Sequence, residues 1–356
     1  MRSALPAVTL LLVLCGCAST PAAPSAPKEA SDGDVVAREP CPVPQDRAAF
    51  DAEMRDYLQE DLEQAGLQAE LAARPVESLF PPADFTRLQA AAREGRCERV
   101  LYRVGALRVR GFVLRPPQAS QGPHPVLLWL RGGNADYGRI GTFGLVQMQD
   151  FTDAGFVVVA TQYRGADGGD GADEVGGADL ADVRALVPLA RAVPGADVSR
   201  LYLLGGSRGG MEGLMAIRAG LPVRAAAMRS GQYDFEMSLA DRPDLEAEVY
   251  AKRIPEWSRD RAAAIARRSA RQWAGELHVP LLLLHAEQDW RVRLAQSQRF
   301  AEALQAAGTP HALVVYPRDE HQLALHRREW VQAAVDWFRR YGAFGPPADA
   351  APRAAP

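Results

Sequence analysis

One serine stands where an apolar strand has to become a helix. Leu201–Leu204 is a short apolar run, and Met211–Ala219 is helix-forming and closed by Gly220 and Pro222. Between them runs Gly205-Gly206-Ser207-Arg208-Gly209, a G-x-S-x-G spacing. Such a corner forces backbone angles and close approaches that glycine tolerates. It projects the serine oxygen from the sheet edge, at the electropositive start of the following helix. A hydroxyl attacks a carbonyl only when a base removes its proton, and the usual base is a histidine oriented by a carboxylate.

Of six histidines, His124 and His278 precede apolar strands, His311 begins one and His285 ends one, while His326 falls in an expected helix. His321 alone lies in a loop after the last strand, in "VVYPRDEHQLAL", and is the candidate base. The candidate acid is Asp289, in the loop of "LLLLHAEQDWRV", with Glu287 as the alternative. Asp319 and Glu320 adjoin His321 too closely to fold back onto its ring, and His285 reads as a strand-end histidine bonded to backbone. The oxyanion of an acyl transfer needs two donors. The backbone N–H of Arg208 is the first. The second is assigned to Gly133, in Arg131-Gly132-Gly133-Asn134 after the strand "PVLLWL". Arg131 either contributes charge to the site or is a structural residue held by a salt bridge, and the structural role is favoured.

This chemistry needs neither metal nor cofactor, and none is expected. "GGDGAD" (Gly168–Asp173) matches part of a calcium-binding repeat but occurs once, and "HQLALH" lacks the zinc-protease spacing. Trp257 and Trp273 could line a substrate pocket or pack in the core.

The elements that would hold these residues alternate. Apolar strands at Pro125–Leu130, Phe156–Tyr163, Leu201–Leu204, Val223–Met228, Val279–His285 and His311–Tyr316 are separated by helices at Leu145–Ala154, Asp179–Ala192, Met211–Ala219, Leu294–Ala307 and Leu325–Tyr341. That order predicts an α/β fold with a mostly parallel sheet covered on both faces. A hairpin around Gly105 precedes it. Residues 232–275 read as a helical insertion, and 46–98 as a helical segment with helices over Asp46–Ala73 and Phe85–Arg93. The Ala/Pro/Ser-rich stretch 18–45 reads as a tether, and 343–356 as a disordered tail. The chain has 356 residues, 47% of them hydrophobic and 24% charged, with a net charge of −3. This is a globular balance without the basic footprint of a nucleic-acid binder.

Six pieces together resemble the catalytic domain of the prolyl oligopeptidase family of serine peptidases: "LRGGNADYG", "ATQYRGADGGDG", "GGADLADVRAL", "GGSRGG", "HAEQDWRV" and "DEHQL". The resemblance covers roughly 99–340, within a domain drawn at 99–342. It implies the α/β-hydrolase fold, Ser207 as nucleophile, Asp289 as acid, His321 as base, and a small peptide as substrate. Tyr163 and Arg164 match a Tyr-Arg-Gly stretch with a shaping role. A carboxylesterase with the same triad is the alternative, and a silent lipid-anchored binding protein a third. Residues 46–98 are too few and too helical for the β-propeller that screens substrates in full-length relatives. Selection then falls to these helices and the insertion, with Asp173 or Glu174 as an anion for a peptide amino terminus.

The first residues, "MRSALPAVTLLLVLCGC", have a basic start, an apolar run too short to span a bilayer, and a Leu-Cys-Gly-Cys end. They resemble a bacterial lipoprotein signal (1–17) with Cys17 as the lipidated residue. Cys15 fits less well because Leu14 before it is bulky. The expected location is the outer membrane, on a lipid anchor. Cys41 and Cys97 remain, as a disulfide or as two separate thiols. Oligomeric state is not legible.

Overall fold

The computed structural model describes residues 31–117 and 122–346. The signal, Cys17 and residues 18–30 of the tether lie outside the described residues. Those that are described contain a nine-stranded sheet of order β1-β2-β3-β5-β4-β6-β7-β8-β9. The strands are β1 (Val35–Pro40), β2 (Cys97–Val104), β3 (Leu107–Leu114), β4 (His124–Leu130), β5 (Val157–Thr161), β6 (Ala196–Gly206), β7 (Ala225–Arg229), β8 (Leu281–Ala286) and β9 (His311–Tyr316). β1, β2 and β3 pair antiparallel, as does β3 with β5, and every later pairing is parallel. The fold is of the α/β-hydrolase type.

Strand alternation divides the core in two. Val126, Leu128, Leu130, Leu201 and Leu203 face one side, while Leu127, Trp129, Tyr202 and Leu204 face the other. The first side is covered by α6 (Leu180–Arg191) and α7 (Arg208–Arg218), by the insertion, and by α11 (Ala295–Ala307). The second is covered by α1 (Arg47–Gln64), α4 (Pro82–Arg93), α5 (Thr142–Asp153) and α12 (Arg327–Arg340). The insertion comprises α8 (Phe235–Asp241), a π-turn at Glu246–Tyr250, the single turn α9 (Ala251–Arg253), α10 (Arg261–Arg268) and a 3₁₀ stretch at Ala270–Glu276.

Three expectations need correction. Residues 18–45 are not all tether: Val35–Pro40 is an edge strand on β2, because the polar backbone of an edge needs one partner only and its side chains stay in water. The helix expected over Asp46–Ala73 is two, α1 and α2 (Gln68–Ala73), broken at Gly66 with φ of 73°. A further turn, α3 (Val76–Leu79), follows. The disordered tail drawn from residue 343 begins too early. Ala343 is fully buried, its carbonyl accepts from Arg200 at 2.9 Å, and Phe344 packs edge-on to Phe156.

Cys41 and Cys97 form a disulfide. It closes α1 to α4 into one loop fastened to the sheet, worth about 4 kcal/mol for a loop of that length in the chain-entropy account.

Candidate active site

The turn after β6 explains the glycines around the serine. Ser207 has φ 53° and ψ −121°, a strained conformation held from both sides. A Cβ on Gly205 would lie 2.4 Å from the Gly209 carbonyl oxygen, and one on Gly209 would lie 2.3 Å from that of Leu130. The Ser207 N–H donates to the Arg229 carbonyl at 2.9 Å. Arg208 opens α7, so its own N–H has no acceptor within the helix and is free to serve a ligand.

His321 meets Asp289. Its Nδ1–H donates to Asp289 Oδ2 at 2.8 Å, which leaves Nε2 of a neutral ring as the acceptor. Asp289 is 2% exposed, and its Oδ1 accepts the N–H groups of Arg291 and Val292, each at 2.9 Å. Burial alone would raise its carboxyl pKa. The facing His321, with a further contact from His285, holds it well below the usual carboxylate range. Glu287 is exposed, and its carboxylate lies 3.4 Å from the Arg318 N–H. Asp319 is occupied with His326 at 2.9 Å.

Ser207, Arg208, Gly133 and His321 all line one cavity of about 550 Å³. Gly133 has φ 73°, and a Cβ there would lie 2.1 Å from the Tyr137 carbonyl oxygen, so the tight loop that carries it admits glycine alone. Arg131 shapes this loop, but by a means other than the expected salt bridge. Its guanidinium donates to the carbonyls of Gly132, Ala135, Tyr137 and Gln162, bonds that a loop short of its own backbone partners requires. Burial, then the nearby Arg208, pulls its pKa down to about 10. Tyr163 lies between the two arginines, its ring 5.3 Å from the Arg131 guanidinium carbon and 4.5 Å from that of Arg208.

Several contributors were not foreseen. His285 bonds backbone as expected, with Nε2 2.8 Å from the Val292 carbonyl oxygen, but the same nitrogen lies 3.3 Å from Asp289 Oδ2. Asp61 of α1 accepts from Arg291 at 2.5 Å and from Trp290 at 3.2 Å, fastening the N-terminal helix to the acid's loop. Tyr57, one turn earlier, stacks on Phe143 at 4.2 Å and lines the cavity. The lining also includes Leu245, Val249 and Tyr250 of the insertion. Trp257 and Trp273 pack elsewhere, against Phe235 and under Arg218. Asp173 is no anion for a peptide amino terminus: it is buried and paired with Arg208 at 2.6 Å. Glu174 caps the Ala178 N–H at 2.7 Å.

Comparison with known proteins bears on the fold and the family. The model of the prolyl oligopeptidase family matches residues 142–343. An uncharacterized peptidase of Bacillus subtilis, YtmA, is 26% identical over 264 residues, covering 71% of this chain and 97% of that protein. Dipeptidyl-peptidase 5 of Porphyromonas gingivalis is 23% identical over 223 residues, covering 59% of this chain and 32% of the relative. Among solved structures, a puromycin-hydrolyzing peptidase of Mycobacterium tuberculosis superposes with a TM-score of 0.58 at 25% identity, covering 67% of this chain and 38% of that one. An acylaminoacyl peptidase of Pyrococcus horikoshii gives 0.59 at 20% identity, covering 70% and 42%. The chain thus spans about two fifths of each of these two structures and nearly all of the Bacillus peptidase.

Proposed function

Because this chain belongs to the prolyl oligopeptidase family and is a serine-type peptidase or hydrolase, we propose that it cleaves small peptides through Ser207, His321 and Asp289 by way of an acyl-enzyme. The observation that carries the reading is the 2.8 Å Asp289–His321 hydrogen bond on the wall of the cavity that also holds Ser207. His321 Nε2 takes the Ser207 proton as the oxygen attacks the acyl carbon. The N–H groups of Arg208 and Gly133 meet the oxyanion. His321 then passes the proton to the leaving nitrogen, and water repeats the cycle in reverse to free the acid. The apolar wall of Leu245, Val249 and Tyr250 suits an uncharged acyl-side residue. Activated esters such as p-nitrophenyl acetate meet the same requirements. A fluorophosphonate probe should label the wild-type chain on the peptide containing Ser207, and labelling on another residue would overturn the assignment.

We also propose export and lipid attachment at Cys17. The Cys41–Cys97 disulfide supports an oxidising compartment. Mass spectrometry of the membrane fraction should find an acylated Cys17 as the mature N-terminus, and an unmodified N-terminus would reject the anchor.

A further inference from the structure

Arg229 is out of place in its strand. It ends β7, whose other residues are apolar, and it is 8% exposed. Its carbonyl holds the Ser207 N–H, and its guanidinium reaches the neighbour of His321. Nη1 donates to the Gln322 carbonyl at 3.2 Å and to Gln147 Oε1 at 2.9 Å, and Nη2 donates to Gln322 Oε1 at 3.3 Å. The Trp330 ring lies 5.1 Å from the guanidinium carbon. Every one of these partners is neutral. Nε of Arg229 and Nε2 of Gln147 are buried with no partner at all. All three side chains line the catalytic cavity.

The acids nearby are already in use. Asp289 serves His321 and two backbone N–H groups. Asp319 takes the His326 ring together with the N–H groups of Glu320, Leu325 and His326. Glu320 takes the N–H groups of Gln322 and Ala324, and burial followed by Asp319 raises its carboxyl well above the usual range. A cation removed from water without a counter-ion is expensive to keep, and burial draws the Arg229 guanidinium below its ordinary value. A ligand anion would remove that cost.

We infer that Arg229, with Gln147 and Gln322, forms a subsite for the free α-carboxylate of the leaving fragment of a short peptide. The side follows from the chemistry. His321 protonates the departing amine, so the leaving fragment lies on the His321 side, where Gln322 and the guanidinium are. A carboxylate offers two oxygens to a guanidinium edge, a match that a neutral amide lacks. In the reaction the Ser207 oxygen–carbon bond forms, the carbon–nitrogen bond breaks, and the nitrogen takes the proton from His321. The freed fragment then departs with its carboxylate intact. A cavity of about 550 Å³ suits a ligand of a few residues. The enzyme is thereby directed to bonds close to a free carboxyl terminus.

This inference rests on the proposed triad, and its test separates the two. The purified full chain is offered N-acetyl-X-Ala peptides, X ranging over the apolar residues, each as the free acid and as the carboxamide, beside p-nitrophenyl acetate. The acids should be cleaved with kcat/KM roughly 10- to 100-fold above their amides, the scale of one charge-assisted hydrogen bond, with the difference in KM. Arg229→Gln should bring the acid-to-amide ratio to within about twofold, and Arg229→Lys, which keeps the charge, should retain part of it. A residue that only braced the His321 loop would lower both rates and leave the ratio alone. Equal cleavage of acid and amide by the wild type overturns the subsite, as does a ratio that survives Arg229→Gln, or ester turnover without cleavage of any acid. Loss of both ester turnover and fluorophosphonate labelling in the wild type overturns the triad itself.

Discussion

Arg208 and Arg229 are both tied to the nucleophile's backbone, yet their surroundings are opposites. Arg208 follows Ser207, and its guanidinium meets three carboxylates: Asp173 at 2.6 Å, Asp179 at 2.7 Å and Glu212 at 2.6 Å. Arg229 accepts the Ser207 N–H through its carbonyl, and its guanidinium meets only amides and the ring of Trp330. The first region holds more negative charge than its cation can match. Two carboxylate oxygens there, Asp179 Oδ1 and Glu212 Oε2, are buried without partners. Burial, only partly offset by Arg208, pushes the Glu212 carboxyl up to about 8, so the cluster keeps a proton at neutral pH. It is closed on itself and anchors the start of α7. Only the backbone N–H of Arg208 is left for chemistry. The second region has a cation to spare and open space beside it. The difference separates a scaffold from a subsite.

Both regions brace the proposed triad, so removing it must silence whatever either contributes. Ser207→Ala should leave a folded chain without measurable turnover. His321→Ala and Asp289→Asn should each lower kcat/KM by about ten-thousand-fold, as in other triads. Retained turnover in Ser207→Ala, with peptide and ester substrates alike, would remove the frame on which the comparison hangs.

A sharper contrast comes from deleting each cation. Arg208→Met strands three buried carboxyl groups, one of them protonated at neutral pH, and should cost about 3–5 kcal/mol of stability, read by chemical denaturation. Arg229→Gln strands none, so its main effect should fall on the acid-to-amide ratio and not on the denaturation midpoint. If Arg229→Gln proved the more destabilised variant, the assignment of scaffold and subsite would have to be exchanged.

The proton in the Arg208 cluster gives the next effect. Glu212 binds a proton more tightly in the folded chain than its ordinary value of 4.5 allows. Between about pH 4.5 and 8 the native state holds this proton and the unfolded state does not. Stability therefore falls as pH rises through that window, by at most about 1.4 kcal/mol per pH unit for one group, and levels off above it. Glu212→Gln mimics the protonated form and should flatten the slope. An unchanged pH profile in that variant would show that the proton is held elsewhere.

The sequence made these regions legible to different degrees. Apolar strands between helices identified the parallel sheet because burial on both faces leaves a run of hydrophobic residues that few other contexts produce. Ser207, Asp289 and His321 stood out because each is a polar residue at a strand-end loop, and the structure brings Asp289 and His321 into contact. β1 escaped notice because an edge strand with an exposed face, "VVAREP", carries no apolar signature. The cluster around Arg208 joins two stretches far apart in sequence, Asp173 with Asp179 and Arg208 with Glu212, and no local pattern links the one to the other. Arg229 did leave a signal: an arginine closing the run "AAAM" puts a charge at the end of a strand that is otherwise fit only for burial.

The smallest effect belongs to a residue outside both regions. Glu287 and Asp289 share the loop after β8, and from the sequence either could orient His321. Position in the loop decides between them. The Glu287 N–H donates to the Tyr316 carbonyl at 2.9 Å, continuing the edge of β9, and its side chain is in water near the Arg318 N–H. Asp289, two residues on, is buried, bonded to His321 and capped by two N–H groups. Removing the charge of Glu287 strands nothing and unfixes no catalytic group. Glu287→Gln should therefore change kcat/KM by less than about twofold and stability by no more than about 0.5 kcal/mol, as for other surface substitutions. Measured beside Asp289→Asn, it isolates the acid that matters. A crippled Glu287→Gln with an active Asp289→Asn would move the acid to position 287 and dissolve the His321–Asp289 pairing on which the leaving-group side of the cavity was defined.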